Sequence, residues 1–419
     1  MSQAVLPEEL ITEVLSILPA KSILRFKCVC KPWEFLISDP FFVEKHRRRS
    51  QKRNLHLALI LCRPMTHIRD YYYDRDCSVV PFPLNNLLLN PSLTINILPH
   101  HRMRYKSCFR VIGSINGLLC LFNSRIIREG DEWHRNTYFR LWNPATKTIS
   151  QKLGSITHPY DQPYGPGEDL SNYFRFAFGY DKSTDTYKVV AFCPKEVKIF
   201  SFRDNVWKNI QHFPITPLYY VHMVCRRKQR VNEGVYLNGS LNWLAILNCE
   251  YFTKEYLIFP GIDPFVYPKV DQFVIISLDL CTETYRQLLP PSGFVEVPSI
   301  LPTISVLRDC LCFSSHIKTT HFAIWMMMEF GVQQSWTQFL NINCMDLQID
   351  HDYPRYGYEY LVHPLCLSEN DGTIILASSH DEQALLYNWR DNSVEKTRIT
   401  NHVLWMFSLN YIETLVSTC

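Results

Sequence analysis

The chain has little that would mark it as an enzyme, a secreted scaffold or a membrane protein. Its net charge is only +3 over 419 residues, too near zero to imply a nucleic-acid or membrane partner by itself. Glycine is scarce, with 14 residues, and proline is moderate, with 25, which argues against low-complexity or disordered tracts. No apolar run approaches the length needed to span a bilayer. The opening MSQAVLPEEL has no basic segment ahead of a long apolar core, so no secretory signal is expected. There is no Gly-x-Ser-x-Gly elbow, no phosphate-cradling Gly-Lys-Ser/Thr loop and no His-Glu-x-x-His. Cys28-x-Cys30 and Cys310-x-Cys312 have the wrong spacing for zinc pairs. On a strand, residues i and i+2 share a face, so Cys310 and Cys312 read as packing residues. The 15 histidines are scattered, and His100-His101 has no cysteine or carboxylate set nearby. Carboxylates such as Asp279 or Glu329 could line a hydrolase's channel, but no paired spacing supports that. No catalytic residue, metal or cofactor is expected.

What is present is an ordinary globular composition, 47% hydrophobic and 20% charged, with aromatics high at 14%. The length allows roughly two or three domains. Fifteen cysteines are an odd count and most sit inside apolar runs, as small buried hydrophobes do. Free thiols in a reducing compartment are expected, hence the cytoplasm, the nucleus or both. The sequon Asn238-Gly239-Ser240 reads as a turn.

The first fifty residues read as short helices. Pro7 can start a helix, and Glu8 and Glu9 suit its positive end. Leu10, Val14, Leu15 and Leu18 fall on one stripe, flanked by Ile11 and Ile17. Pro19 ends that helix. A second is expected from about Lys21 to Cys28, with Ile23, Leu24 and Phe26 apolar, and a third near Pro32 with Trp33, Phe35 and Leu36. Asp39-Pro40 is an N-cap followed by proline at the first helical position, so a last helix is expected from Phe41 to about Arg47. A unit of about 45 residues is too small to rest comfortably on its own core. Yet apolar residues occupy more than one face of each helix. Either the helices cap the following domain, or a spare face docks a partner.

The run Lys45-His46-Arg47-Arg48-Arg49-Ser50-Gln51-Lys52-Arg53 admits three readings: a solvated helix end and linker, a nuclear-import signal or a nucleic-acid patch. The first is favoured, because cations suit a helix C-terminus and no nucleic-acid motif lies nearby. A domain over 1–46 and a basic linker over 47–54 are therefore expected, with a second domain over 55–419.

Leu6-Pro7-Glu8-Glu9-Leu10, Leu18-Pro19-Ala20-Lys21-Ser22, Leu24-Arg25-Phe26 and Val29-Cys30-Lys31-Pro32-Trp33 together resemble the F-box of plant F-box proteins. The resemblance spans about 40 residues in order. It implies a three-helix module that binds a Skp-type adaptor and, through it, the cullin of an SCF ubiquitin ligase. Leu6, Pro7, Leu10, Leu18, Pro19, Ser22, Leu24, Arg25, Val29, Cys30 and Trp33 match positions that form or support the adaptor contact, and some of them must be internal core instead. Pro32 stands where serine is frequent.

From Leu55 on, apolar runs of about 4–8 residues recur between Asn, Asp, Gly and Pro. Two patterns alternate. One is a turn into a buried strand, as at Asn116-Gly117, Asn238-Gly239, Arg308-Asp309 and Asp371-Gly372. The other is a hairpin with a polar turn, as after Leu141-Trp142-Asn143, Phe200-Ser201, Leu278-Asp279 and Tyr387-Asn388. An irregular repeat of this kind suggests a β-propeller, and its length gives roughly six to eight blades. The expected class is α+β by domains: a helical front and an all-β, propeller-like back. The Gly-Gly of kelch and the Trp-Asp of WD repeats are absent. Ser114–Cys120, Leu141–Thr146, Phe178-Gly179-Tyr180-Asp181 with Asp185–Val190, and Asn238–Trp243 resemble the F-box-associated domain of plant F-box/kelch-type proteins, a group that includes the S-locus F-box proteins. The resemblance implies a substrate-recognition platform. Tyr71, Tyr72, Tyr73, Tyr160 and Tyr164 sit in polar, aromatic stretches that suit target binding. Two other readings stay open: a non-degradative F-box scaffold, and a propeller enzyme with an appended helical domain.

Overall fold

The computed structural model of the protein describes residues 7–53, 55–62, 77–91, 110–159, 174–193, 196–218, 234–247, 268–298, 300–318, 320–347, 361–368, 370–378, 383–399 and 403–418. Four helices come first: α1 (Glu8–Leu15), α2 (Ala20–Phe26), α3 (Lys31–Ser38) and α4 (Pro40–Arg53). Pro7 and Pro19 do not enter their helices. Each stands in the extended N-cap position, where its carbonyl accepts the first helical N–H groups. Asp39 behaves as expected. Its Oδ1 accepts the N–H groups of Phe41 (2.8 Å) and Phe42 (3.3 Å).

The expected linker is not one. Residues 47–53 are the last turns of α4. The helix continues because its cations are partnered: Arg47 and Arg48 pair with Glu44 (2.7 Å each), and Lys45 and Arg49 with Glu13 of α1. Hydrogen bonding by Arg47, then Arg48, holds the Glu44 carboxyl at about 2 against the upward push of its burial.

The strands form six antiparallel sheets, the low end of the expected range. Blade 1 comprises Arg110–Ile115, Leu118–Glu129, Glu132–Asn143 and the edge pieces Thr148–Ile149 and Leu153–Pro159. Blade 2 comprises Arg175–Asp181, Thr186–Cys193, Glu196–Ser201 and Val206–Ile210. Blade 3 comprises Val235–Leu237, Ser240–Ile246, Phe273–Asp279 and Tyr285–Leu288, with Thr216–Pro217 beside them. Blade 4 comprises Thr303–Leu307, Cys310–Ile317, His321–Met327 and Trp336–Asn343. Blade 5 comprises Val362–Ser368, Thr373–Ser378, Ala384–Asn388 and Ser393–Lys396. Blade 6 joins both ends of the chain: Leu409–Ile412 innermost, then Leu55–Cys62, then Cys77–Pro83. The first strand of each blade touches the first strand of the next, and Leu409–Ile412 touches those of blades 5 and 1, so the ring closes. Six buried apolar clusters fill the six gaps between neighbouring blades.

The two repeating sequence patterns are two turns of one blade. The first joins the innermost strand to the second. At Asn116-Gly117, Asn238-Gly239 and Arg308-Asp309 both central residues have positive φ, the type I′ geometry that matches strand twist. The second pattern joins third and fourth strands. There Asn143, Asp279 and Asn388 accept backbone N–H groups two residues on, and Lys147, Asn205, Glu283 and Asn392 close their turns with positive φ. Because strands alternate in direction, both kinds of turn lie at one end of the ring. The second-to-third turns and the interblade connections lie at the other.

Blade 2 shows why Gly179, Asp181 and Lys188 occur together. A Cβ on Gly179 would run into Leu280 of blade 3. Lys188 is buried, donates to the Leu280 carbonyl (2.6 Å) and pairs with buried Asp181 (2.9 Å). Burial pushes the Asp181 carboxyl up, but bonds from Ser183, Lys188 and Thr184 outweigh it and hold the group well below its usual range. The stability this contributes is present above the ordinary carboxylate value and is lost as pH falls toward the lowered one. Asp181→Asn leaves Lys188 buried without its counter-charge and should destabilise by about 3–5 kcal/mol. Denaturant titration at pH 7 and at about pH 2.5, below the ordinary carboxylate value, checks this, the variant's deficit being smaller at the lower pH.

Two glycines give a paired test. Gly117 and Gly239 have φ of +79° and +84°, but a Cβ on Gly239 meets nothing, whereas one on Gly117 comes within 2.6 Å of the Ile412 carbonyl oxygen. Gly239→Ala should cost about 1–2 kcal/mol for backbone conformation alone. Gly117→Ala should cost measurably more in the same denaturant titration, because it also pushes on the closing strand.

Candidate interaction surfaces

Helices α1 to α3 and the start of α4 split their apolar residues between an inside and an outside. Inside, Leu15, Ile23, Ile37 and Phe42 form a small core, bordered by Ile11, Leu18, Phe26, Trp33, Leu36 and, from the far end of the chain, Leu415. Trp33 stands edge-on to Phe26, with ring centroids 5.4 Å apart. Outside, Leu10, Val14, Ile17, Val29, Phe35 and Phe41 are exposed, Val29 to 63%, Phe35 to 74% and Phe41 to 86%. Among the described residues these are six of the fourteen large apolar side chains left in solvent. Such a concentration in so short a stretch makes it a candidate interaction surface.

The residues expected to carry that surface divide accordingly. Pro7, Leu10, Pro19, Arg25, Val29 and Cys30 are exposed, and Ser22 and Leu24 are half-buried. Leu18 and Trp33 belong to the edge of the internal core. Leu6 lies outside the described residues. Phe35 and Phe41 were not expected on this surface, nor were Val14 and Ile17. The single stripe expected of Leu10, Val14, Leu15 and Leu18 is split: Leu10 and Val14 are exposed, as is Ile17 beyond the helix end, whereas Leu15 is buried and Leu18 borders the core.

Helix α4 carries this unit on the ring. Arg47 Nη1 donates to Asn116 Oδ1 (3.1 Å) in the first turn of blade 1. One helical turn later, Gln51 Nε2 donates to Asp309 (3.2 and 3.3 Å) in the matching turn of blade 4. Blades 1 and 4 are opposite in a ring of six, so α4 crosses the mouth of the central channel. Beneath it, Asn116 donates to the Tyr187 hydroxyl (3.4 Å) and Tyr236 to the Tyr180 carbonyl (2.8 Å). Burial pushes the Tyr187 phenol up to about 12, so it stays a neutral neighbour of Arg47.

The opposite end of the ring is where the chain leaves the described strands after Cys62 and Pro159. Tyr71, Tyr72, Tyr73, Tyr160 and Tyr164 lie outside the described residues. At the same end, the long hairpin of blade 1 bears exposed Ile126 and Trp133, with Arg128 5.7 Å from the Trp133 ring centroid.

The carboxylates considered for a channel do not line it. Asp279 closes the third-to-fourth turn of blade 3 through its bonds to Cys281 and Thr282 (2.9 and 2.8 Å), and Glu329 is exposed beyond the third strand of blade 4. Cys312 is fully buried in the core, and Cys310 packs beside it. No group of three or more potential metal ligands gathers among the described residues.

Residues 85–418 match the F-box associated beta propeller domain family, and residues 5–45 match the F-box domain family. The chain belongs to the F-box-associated β-propeller family. It is 28% identical over 398 residues to F-box/kelch-repeat protein At3g23880 of Arabidopsis thaliana, covering 91% of this chain and 87% of that one. It is 27% identical over 361 residues to F-box protein CPR1 of the same plant, covering 81% and 73%. Among solved structures, one titled a nidogen/laminin complex aligns over 86% of this chain and 99% of the other, with a TM-score of 0.39 and 9% identity.

The division of the F-box into core and surface is directly testable. Trp33→Ala, at the border of the core, should destabilise the helical unit by about 1–3 kcal/mol. Leu10→Ala should cost under about 0.5 kcal/mol, as exposed changes do. Amide exchange of α1 to α3 in each variant checks both.

Proposed function

We propose that the protein is the target-recognition subunit of an SCF-type ubiquitin ligase. The F-box surface of Leu10, Val14, Val29, Phe35 and Phe41 docks a Skp-type adaptor and, through it, the cullin. The end of the propeller away from α4 receives the target protein. The chain makes no bonds itself. It holds the target near a ubiquitin-charged enzyme and so raises effective concentration. The observation that carries this reading is the coexistence of an uncovered apolar F-box surface with a closed platform whose other end is free of the F-box. The basic run favours no nucleic-acid role, since Lys45, Arg47, Arg48 and Arg49 are all committed to Glu13 and Glu44.

Co-purification of the full chain with a Skp-type adaptor tests the proposal. The native chain should retain the adaptor and Leu10→Arg should lose it, with thermal unfolding unchanged because Leu10 is 52% exposed. A complex that survives Leu10→Arg sinks the docking face, and a native chain that binds no adaptor sinks the function.

A further inference from the structure

The stretch after the closing strand, residues 413–418, is engaged on two sides. On the ring side, Asn143 Nδ2 donates to the carbonyls of Thr414 (3.0 Å) and Val416 (2.8 Å). Thr414 Oγ1 donates to the Asn116 carbonyl (3.0 Å), Thr414 is fully buried, and Val416 packs on the core between blades 1 and 2. On the F-box side, Leu415 packs against the cluster of Leu15, Ile23, Ile37 and Phe42. Buried His46 of α4 lies close enough to Glu413 for that carboxylate to act on it, while its Nε2 bonds the Leu18 carbonyl (3.0 Å) in the turn between α1 and α2. Glu413 also faces His56 of the second strand of blade 6 (3.6 Å).

The side chains alternate in purpose. Thr414 and Val416 face the ring, and Leu415 between them faces the helices. The same short stretch therefore finishes the ring and finishes the small helical core. Asn143 is the anchor on the ring side, and a conservative reading of its sequence context assigns it only a turn. Its Oδ1 does serve that turn, accepting from Ala145 (2.9 Å) and Thr146 (3.3 Å). Its Nδ2 does the second task.

We infer that residues 413–418, gripped by Asn143, couple the helical unit to ring closure, so that α1 to α3 are held in place only on a chain whose propeller is shut. Asn143 and Leu415 are positioning residues in this arrangement. Resting on the receptor reading, the consequence is that the adaptor meets a formed and correctly aimed F-box only when the platform behind it is complete.

The test is hydrogen exchange followed by mass spectrometry on the full chain without any adaptor, so its failure is distinct from failure of the receptor reading. Leu415→Ser, which breaks the stretch at the helices, should speed exchange in α1 to α3 by about tenfold or more. Asn143→Ala, which releases the stretch from the ring side, should do the same at a distance. Asn388→Ala alters the matching turn of blade 5 and should leave α1 to α3 at the native rate. If Asn143→Ala leaves α1 to α3 at the native rate, the inference is overturned, whether or not residues 413–418 exchange faster. Should Asn143→Ala fail to fold, Thr414→Val removes the bond to the Asn116 carbonyl, together with the long one from the Val416 N–H (3.5 Å), and is read in the same way.

Discussion

Four facing residue pairs shut this molecule: Leu55 with Ile412, His56 with Tyr411, Leu57 with Asn410 and Ala58 with Leu409. Every other blade is a local hairpin product. This one joins the two ends of the chain, and two of the six interblade cores depend on it directly. Leu57 and Leu59 fill the gap toward blade 5, and Ala58, Ile60 and Tyr411 fill the gap toward blade 1. Each buried leucine or isoleucine among them contributes about 1.5–3 kcal/mol relative to exposure, so an unclosed ring forfeits far more than a few backbone bonds. The side chains around the seam reinforce it. The Ala145 N–H donates to the Tyr411 hydroxyl (3.1 Å), and Asn410 Nδ2 donates to the Leu365 carbonyl (2.7 Å) of blade 5. The seam is thus pinned to both neighbours.

Half of the propeller was legible from sequence, and that half is one end of it. Asn-Gly pairs and Asx turns announce themselves because positive φ and side-chain-to-backbone bonding restrict which residues can stand there. Both of those turn types lie at the end nearest the F-box. The opposite end is built from second-to-third turns and interblade connections of unequal length, which obey no such local rule. That is why the blade number could only be bracketed: the spacing between recurring turns stretches wherever a long connection intervenes. Ring closure was illegible for a different reason. Nothing near Leu55 or Leu409 indicates a partner hundreds of residues away.

In the helical front, local chemistry was a good guide to existence and a poor one to extent. Cations at a helix C-terminus suggested that α4 stops near Arg47. Glu13 lies on another helix, and its pairing with Lys45 and Arg49 cannot be read from spacing. Likewise, family resemblance gathered surface and core residues into one set. Trp33 and Leu18 border the internal core, and the one stripe read along α1 has an exposed side, Leu10 and Val14, and a buried side, Leu15. The double use of Asn143 shows the general limit: a residue whose turn role is fully explained locally offers no hint of a second bond.

The hydrogen bond from Thr414 to Asn116 spans 298 residues, and the contact of Leu415 with the helical core spans more. Chains emerge from the ribosome N-terminus first, and domains fold as they emerge. Long-range contacts form late because loop-closure entropy must be met before they return anything. The helical front of this protein therefore emerges before the propeller behind it and is among the last parts to be completed. Throughout synthesis it shows its apolar residues to the cell without the neighbour that will steady them, which makes time, rather than sequence, its main exposure to misassociation.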